Sequence, residues 1–444
     1  MACIGKRALI GFLVLIVLSS NIVFCLNAVS NQINPVEDKQ LPDPLEVNIL
    51  LETSIYRRMS VREFTDQPVS EEHLSTVLWA AYGKRTQGDH TVSSIDSTYA
   101  AVLYVFNEDA VYTYEPKNHS LIVYKEGDHR DDIDIYQYEA PVQIGLCWNT
   151  TKADPNQAGM EFGQIGQNIQ FMANALDLGT VVTGQIPPAI DPVGIPEDQE
   201  GMIIMPLGHP KNKYNFVDRP MWISPLPEIM ESTMTLSEAL IKRSEKDFFE
   251  GVLSDQEKSQ IIWSTYGFSP FIDKSDQEPI HLKRHRTVPS AHGYYPLVIY
   301  SVTEEGIYRY YPNVLTNLLI DYLKVSSAPV DFFGLPIVTM LQKTSSGDVR
   351  EAIAQITNES ALSSASLIII PVLDVEKTKE LSGESARRFW YYEGGAVCHN
   401  VMLEATAWNL NTKIIYPVDA DFIRSELSLG DQFIPIAVIP VGKS

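Results

Sequence analysis

The sequence predicts an α+β protein made of two tandem copies of one sandwich lobe, in which helices flank a mixed sheet. The first observation is an internal repeat, because residues 90–116 align without a gap on residues 286–312 and ten of the positions are identical. Ordinary composition would give about two identities over that length. The second observation is that helical and strand patterns follow in the same order in both halves. Two copies of one fold in one chain predict an intramolecular pseudo-dimer.

The repeat extends beyond this segment and sets the predicted domains. Residues 78–83 align with residues 262–267, and near the end of each half Glu161 aligns with Glu393. The predicted boundaries are residues 1–30 for a leader, 31–44 for a linker with three prolines, 45–225 for lobe one and 226–444 for lobe two.

Residues 1–30 have the layout of a targeting segment. Lys6 and Arg7 precede an uncharged apolar run from Ala8 to Cys25, and the chain turns polar at Asn27. A secretory signal peptide has this order, and the run is also long enough for an uncleaved membrane anchor. We therefore expect the leader to insert in or cross a membrane and the remainder to be extracytoplasmic, secreted or anchored.

The elements of lobe one follow from apolar periodicity and from the residues that begin and end helices. Ser70 is placed as an N-cap and Gly83 as a helix end, while alternating apolar residues predict a hairpin. The predicted helices are 47–57, 70–82 and 159–178, and the predicted strands are 101–106, 110–114, 119–124, 141–148, 181–186 and 203–207.

Lobe two repeats this order of elements. Helices are predicted near 236–244, 254–266 and 391–410, and strands near 297–302, 306–310 and 366–372. The two long helices, 159–178 and 391–410, are expected to form the interface between the lobes rather than to contact substrate.

Charge and cysteine content exclude several classes of function. The chain has 34 basic and 56 acidic residues, a net charge of −22, so a nucleic-acid partner is excluded by repulsion of the phosphate backbone. Outside the leader only Cys147 and Cys398 remain, one in a predicted strand and one in a predicted helix. Neither a disulfide framework nor a zinc site is predicted from two such thiols.

Three polar side chains follow the first predicted helix at every second position. In extended backbone Arg58, Ser60 and Arg62 would share one side. Paired guanidinium groups match phosphate oxygens, which makes a phosphate site one interpretation. A solvated charged face is the other, and the residues alone leave both open.

Motifs in both halves resemble the nitroreductase family of FMN-dependent oxidoreductases. The Arg-x-Ser-x-Arg-x-Phe segment at 58–64, followed by the helix end Trp79–Gly83, resembles the opening of that family. The segment 286–296, followed by a hairpin ending in Tyr-x-Tyr-x-Pro, resembles its SagB-like dehydrogenase branch. The likeness covers nearly everything after residue 45, twice.

The resemblance implies a fused dimer with FMN between its lobes. Members of the family are homodimers in which each FMN lies at the subunit interface and contacts both chains. By resemblance, this chain would pass hydride through flavin N5 between a small-molecule substrate and NAD(P)H or another electron donor. No catalytic side chain and no metal ligand is predicted.

The two halves differ, and the differences predict a single composite flavin site. Lobe one would supply the cations and the contact to N5, and lobe two a turn that reaches across. By resemblance, Arg58, Ser60 and Lys211 would hold the phosphate, Arg62 the N1/O2 edge, Thr183, Gly184 and Gln185 a backbone N–H to N5, and Pro289, Ser290 and Gly293 the turn.

The opposite site is predicted to be degraded. The alignment places Lys242, Ser244 and Lys246 where lobe one has its arginines, and Asp96 adds a charge to the lobe-one turn. Pro417, aligned with Gln185, has no N–H to donate. A rival class stays open: a non-catalytic flavin- or ligand-binding protein on a degenerate nitroreductase fold.

Overall fold

The computed structural model describes residues 35–94, 97–133, 138–186, 188–217, 222–275, 282–315 and 336–443. Within these ranges no helix combines the length and the apolar character needed to cross a bilayer. The predicted leader, residues 1–30, lies outside the described residues.

Lobe one contains one large sheet and three helices among its described residues. Its elements are β1 Lys39–Gln40, α1 Leu51–Arg57, α2 Glu71–Tyr82, β2 Ala101–Phe106, β3 Ala110–Glu115, β4 Ser120–Glu126, β5 Val142–Asn149, α3 Pro155–Ala175, β6 Gly179–Thr180, β7 Gln199–Gly208, β8 Tyr214–Val217 and β9 Trp222–Ile223.

Lobe two repeats this order and adds a long hairpin, β10–β11. Its elements are α4 Leu236–Lys242, α5 Asp255–Tyr266, β10 Phe268–Ser275, β11 Leu282–Arg286, β12 Leu297–Thr303, β13 Gly306–Tyr311, β14 Ile337–Val338, β15 Met340–Ser346, α6 Arg350–Thr357, β16 Leu367–Asp374, α7 Arg387–Ala407, β17 Asn411–Thr412, α8 Ala420–Glu426, β18 Phe433–Pro435 and β19 Ile439–Gly442. The hairpin pairs with β8 of lobe one.

Each lobe has a seven-stranded sheet, and every described pairing within these two sheets is antiparallel. In lobe one the order is β1-β4-β3-β2-β5-β7-β6. The predicted mixed sheet is therefore wrong in its strand direction. The strands β5 and β6, which α3 connects, do run in the same direction. They are not neighbours, however, because β7 lies between them and is antiparallel to both. The parallel pair that the structure describes joins β9 to β14.

Local sequence explains the helix ends. Ser70 accepts the N–H of His73 at 3.2 Å, as expected of an N-cap. The helix α3 begins at Pro155, four residues before the predicted start, because Asp154 and Gln157 form a capping box. Its polar first turn lacks the apolar period on which the prediction depends.

Part of the segment predicted as a linker belongs to the lobe-one sheet. Lys39 and Gln40 pair with Leu121 and Ser120 at the edge of the sheet, and Leu41 is buried. A proline-rich segment can form such an edge because an edge strand leaves one row of backbone groups unpaired.

The long helices α3 and α7 cross at glycines and join the lobes. A Cβ at Gly163 would lie 2.0 Å from the carbonyl oxygen of Tyr392, and one at Gly395 would lie 2.1 Å from that of Met160. Only glycine permits this approach of two backbones. The predicted interface between the long helices is confirmed, and Cys147 and Cys398 are buried free thiols, as predicted.

Candidate functional site

Arg58 joins the start of lobe one to the turn of lobe two. It follows α1 directly, and its side chain is 2% exposed. Its Nε donates to the carbonyl oxygen of Arg286 at 2.8 Å, and one terminal nitrogen donates to Gln170 Oε1 at 2.7 Å. The segment 58–62 and the turn 286–295, predicted to meet, therefore lie side by side.

Three stretches of lobe one run together beside this contact. The N–H of Val61 donates to Thr180 at 2.9 Å, and that of Lys211 donates to Glu63 at 2.9 Å. Arg62 and Lys211 are exposed, and Ser60 is half-buried. The predicted cations thus lie along one surface, although Arg58 lies beneath it. We call the region formed by residues 58–62, 179–185, 209–213 and 286–295 the composite cleft.

The predicted N5 contact lies in the same cleft. Thr183 pairs with Ile204 and is thereby fixed to the sheet. The N–H of Gly184 makes no hydrogen bond within the described residues, and Gly184 is exposed, which suits an incoming acceptor. A Cβ here would lie 2.7 Å from the ring of Phe389, so packing also requires the glycine.

The lobe-two turn is held by its serine. Ser290 Oγ accepts the N–H of Tyr295 at 2.9 Å and donates to Glu393 at 2.6 Å. Pro289 is buried, and Gly293 has a φ of 67°, which glycine adopts without strain. Ser290 therefore shapes the turn, and its hydroxyl is engaged within the protein.

The composite cleft has the polar character of a site for an anion with hydrogen-bond acceptors. Burial lowers the pKa of Arg58, which makes no ion pair with any carboxylate among the described residues. The side-chain nitrogen of Gln170 and the hydroxyl of Tyr392 are buried without a described partner, and both residues adjoin Arg58. The hydroxyl of Tyr392 packs against Gly166, so the donors that an anionic cofactor such as FMN could reach are the exposed Arg62 and Lys211.

A second cleft lies at the equivalent place on the other side of the lobe interface. We define it by residues 243–247, 411–417, 90–94 and 97–99; it encloses a cavity of about 240 Å³. Here Arg243 donates to the carbonyl oxygens of Thr91 and His90, at 2.8 and 2.6 Å, and lies 3.9 Å from Asp89. Asp89 also binds Arg85 through both of its oxygens, so two buried arginines share this one carboxylate.

The second cleft corrects the predicted alignment by one residue. Arg243, not Lys242, follows its helix as Arg58 does, and Lys246 donates to Thr412 as Val61 donates to Thr180. The cause is the loop before the next helix, which has five residues at 65–69 and four at 250–253.

In the corrected register, two carboxylates replace the predicted counterparts Ser244 and Lys246. Glu245 and Asp247 stand where lobe one has Ser60 and Arg62, and Lys413 binds Asp247 and Glu359 at 2.7 Å each. The predicted charge of Asp96 lies outside the described residues. Tyr416 and Pro417 occupy the positions of Gly184 and Gln185, as predicted.

Sequence analysis missed two residues of α7 that line the composite cleft or support it. Phe389 covers Gly184, and Glu393 holds Ser290. The available signal was the identity of Glu161 and Glu393 across the repeat, since a carboxyl group in an apolar helix requires partners.

Comparisons with known proteins agree with this architecture. A profile described as the nitroreductase family matches residues 55–209 and 242–443, once in each lobe. A protein of Methanocaldococcus jannaschii named putative nitroreductase is 32% identical over 165 residues, which cover 33% of this chain and 82% of that protein.

Among solved structures, one that covers nearly the whole chain has the same fold, and another is similar over part of the chain. One of a putative nitroreductase from Anabaena variabilis covers 93% of this chain and 94% of its own, with a TM-score of 0.62 and 15% identity, so both lobes recur there in one chain. One of a putative nitroreductase from Desulfovibrio desulfuricans in complex with FMN covers 36% of this chain and 86% of its own, with a TM-score of 0.28 and 21% identity.

Proposed function

Because the chain belongs to the nitroreductase family, we propose that it is an FMN-dependent oxidoreductase with a single flavin site, in the composite cleft. When bound, the flavin would supply hydride transfer through N5. The protein would bind it, orient it and stabilise its charge. We further propose, from the Pro289–Ser290 turn, that the chain lies near the SagB-like dehydrogenase branch.

The observation that carries this proposal is the charge of the two clefts. The composite cleft presents the exposed cations Arg62 and Lys211, and its buried Arg58 has neutral partners. A buried charge without a partner is costly, so an anion bound beside Arg58 would relieve that cost. The second cleft offers Glu245 and Asp247 instead, which repel a phosphate.

The residues of the composite cleft divide into three roles. Arg58, Ser60 and Lys211 would hold the phosphate, and Arg62 would stabilise the negative charge that reduction places on the ring. Thr183, Gly184 and Gln185 would present the backbone to N5, and the turn with Pro289, Ser290 and Gly293 would close the site from lobe two.

The substrate would be a small molecule, and NAD(P)H or another donor would supply electrons. The extracytoplasmic location is a proposal from the leader alone. A donor other than NAD(P)H, such as a quinone or a thiol, suits that location because nicotinamides are scarce there.

A non-catalytic ligand-binding protein is the alternative function. The acidic second cleft favours it for that side of the molecule, since Lys413 is already bound to Asp247 and Glu359. Colourless protein that ignores added FMN would favour this alternative for the whole chain.

Flavin stoichiometry with matched variants tests the proposal. We expect one FMN per chain in the purified protein, measured by absorbance of the released flavin. Arg62→Ala should weaken FMN binding about tenfold by loss of a charged contact. Its counterpart Asp247→Ala should leave binding unchanged. Two flavins per chain, or equal effects of both variants, would contradict a single composite site.

A further inference from the structure

A buried carboxyl group lies beneath the turn of each cleft. In lobe one, Glu161 accepts the hydroxyls of Tyr82 at 2.7 Å and of Ser94 at 2.8 Å. In lobe two, Glu393 accepts the hydroxyls of Tyr266 and of Ser290. Both carboxyl groups are almost fully buried. Ser94 and Ser290 also fix their own turns, because the hydroxyl oxygen of each accepts the backbone N–H of the residue five positions later.

The two carboxyl groups differ in how many donors they have. Glu161 also accepts the N–H groups of Ala100 and Ala101, at 3.4 and 3.1 Å. Pro296 stands at the position of Ala100 in lobe two and has no N–H. Within the described residues, Glu393 keeps the two hydroxyl donors alone, so its ionised form is the less stabilised of the two.

Few charges surround Glu393. Among the described groups that act on it, the charged one is Arg286, whose guanidinium lies over the rings of Tyr266 and Tyr295, at 5.0 and 4.2 Å from their centroids. The helix α3 brings no charge to it. Burial raises the pKa of Glu393 to about 7, while Ser290, Tyr266 and Arg286 oppose that rise.

The two protonation states of Glu393 hold the turn differently. The ionised carboxylate accepts both hydroxyls at once. A protonated carboxyl must donate from one oxygen, so the hydroxyl of Ser290 or of Tyr266 that faces this oxygen must accept and turn its own proton elsewhere. Because Ser290 also accepts the N–H of Tyr295, a change at its hydroxyl is transmitted to the turn.

We propose that Glu393 is a positioning residue, which through Ser290 holds the Arg286–Tyr295 turn in its cofactor-binding shape only while Glu393 is ionised. Glu161 performs the equivalent task for the second cleft; burial raises its pKa as well, but four hydrogen bonds oppose that rise. The inference rests on the proposed function, since the cofactor is the one assigned to the composite cleft.

The pH dependence of FMN affinity tests this role. Flavin fluorescence titrations at pH 6, 7 and 8 should give about fivefold to tenfold weaker binding at pH 6 than at pH 8 in the wild type, beyond the dependence of FMN itself. Glu393→Gln should bind weakly at every pH and lose that difference, whereas Glu161→Gln should keep it. A Glu393→Gln variant with the wild-type profile would overturn the proposal.

A measurement on the flavin-free protein separates the two proposals. Hydrogen exchange of the 287–297 backbone, corrected for intrinsic rates, should be slower at pH 8 than at pH 6 in the wild type and independent of pH in Glu393→Gln. If the wild type binds no FMN yet shows this pattern, the proposed function fails and the role of Glu393 in the turn stands. If the exchange does not respond to pH, the role of Glu393 is refuted whatever FMN does.

Discussion

The two clefts are built from the same elements and differ mainly in what compensates their buried charges. Arg58 and Arg243 each follow the first helix of a lobe and reach the turn of the other lobe. Arg243 shares Asp89 with Arg85, while Arg58 has no carboxylate among the described residues. At the surface the second cleft carries Glu245 and Asp247, and the composite cleft carries Arg62 and Lys211, which an anionic ligand can compensate.

This difference shows how a duplicated fold can divide its tasks. The helices that join the lobes share one glycine at equivalent positions, Gly163 and Gly395, because packing there admits no side chain. The surface residues are free to change, and lobe two has carboxylates where lobe one has Ser60 and Arg62. Symmetry is kept where backbones touch and lost where only a ligand would be affected.

The largest effect is expected from variants that disrupt the crossing of α3 and α7, which is the symmetric part of the molecule. Gly163→Ala and Gly395→Ala each place a methyl group about 2 Å from a carbonyl oxygen of the facing helix. The helices must separate, so we expect each variant to lose on the order of 3–5 kcal/mol of unfolding free energy, by urea denaturation. Gly383→Ala, where a Cβ meets nothing closer than 3.9 Å, is the control. A mild effect at either interface glycine would mean that the lobes do not depend on this crossing.

The next effect separates the two arginines. Arg243→Met removes three hydrogen bonds to residues 90–93, made by a buried guanidinium that lies 3.9 Å from Asp89, so we expect a loss of about 3–5 kcal/mol in the flavin-free protein. Arg58→Met removes two hydrogen bonds but also an uncompensated charge, and should cost about 1–2 kcal/mol.

The two arginine variants should rank in the opposite order when the loss of stabilisation by FMN is measured. Arg58→Met should abolish the thermal stabilisation that FMN provides, and Arg243→Met should retain it in whatever fraction remains folded. Equal costs of unfolding for the two variants would show that Asp89 does not distinguish the clefts.

Periodic features of the fold were predictable, and offsets of a single residue were not. The hairpin near 101–115, the helix after Ser70 and the interface helices follow from apolar patterns that span many residues. The register of Arg58 against Arg243 depends on a loop that is one residue shorter in lobe two, and a loop carries no period from which to read that difference.

The candidate site was predictable where the residues lie close in sequence. Arg58 donates to Arg286 and Val61 donates to Thr180, so the segment after α1 adjoins both of the other predicted segments. Phe389 and Glu393 were missed because their roles depend on how two lobes dock. The burial of Arg58 was also unforeseen, since its partners are a backbone carbonyl and Gln170, more than a hundred residues away.

A pair of carboxyl groups outside both clefts gives the smallest predicted effect. Glu52 and Glu404 are fully buried, and the equivalent positions are Ser237 and Met172, so the pair exists on one side of the interface alone. Glu404 Oε1 accepts from Gln260 at 2.8 Å, while Oε2 is buried without a described partner. Burial first, and then the charge of Glu52, raise the pKa of Glu404 well above its ordinary value of 4.5.

The sign of the pH dependence follows from that raised pKa. Between pH 4.5 and the raised pKa, Glu404 keeps its proton in the folded protein and has lost it in the unfolded chain. The contribution of Glu404 to stability is therefore largest below pH 4.5 and is lost as the pH rises through the folded pKa. Glu404→Gln keeps the acceptor for Gln260 and cannot ionise. We therefore expect it to stabilise the protein on the order of 2 kcal/mol at pH 8, and less at pH 5, in thermal or urea unfolding. Glu351→Gln on the exposed side of α6 should change neither value, and a Glu404→Gln variant less stable than the wild type at pH 8 would mean that the ionised carboxylate is held by a partner after all.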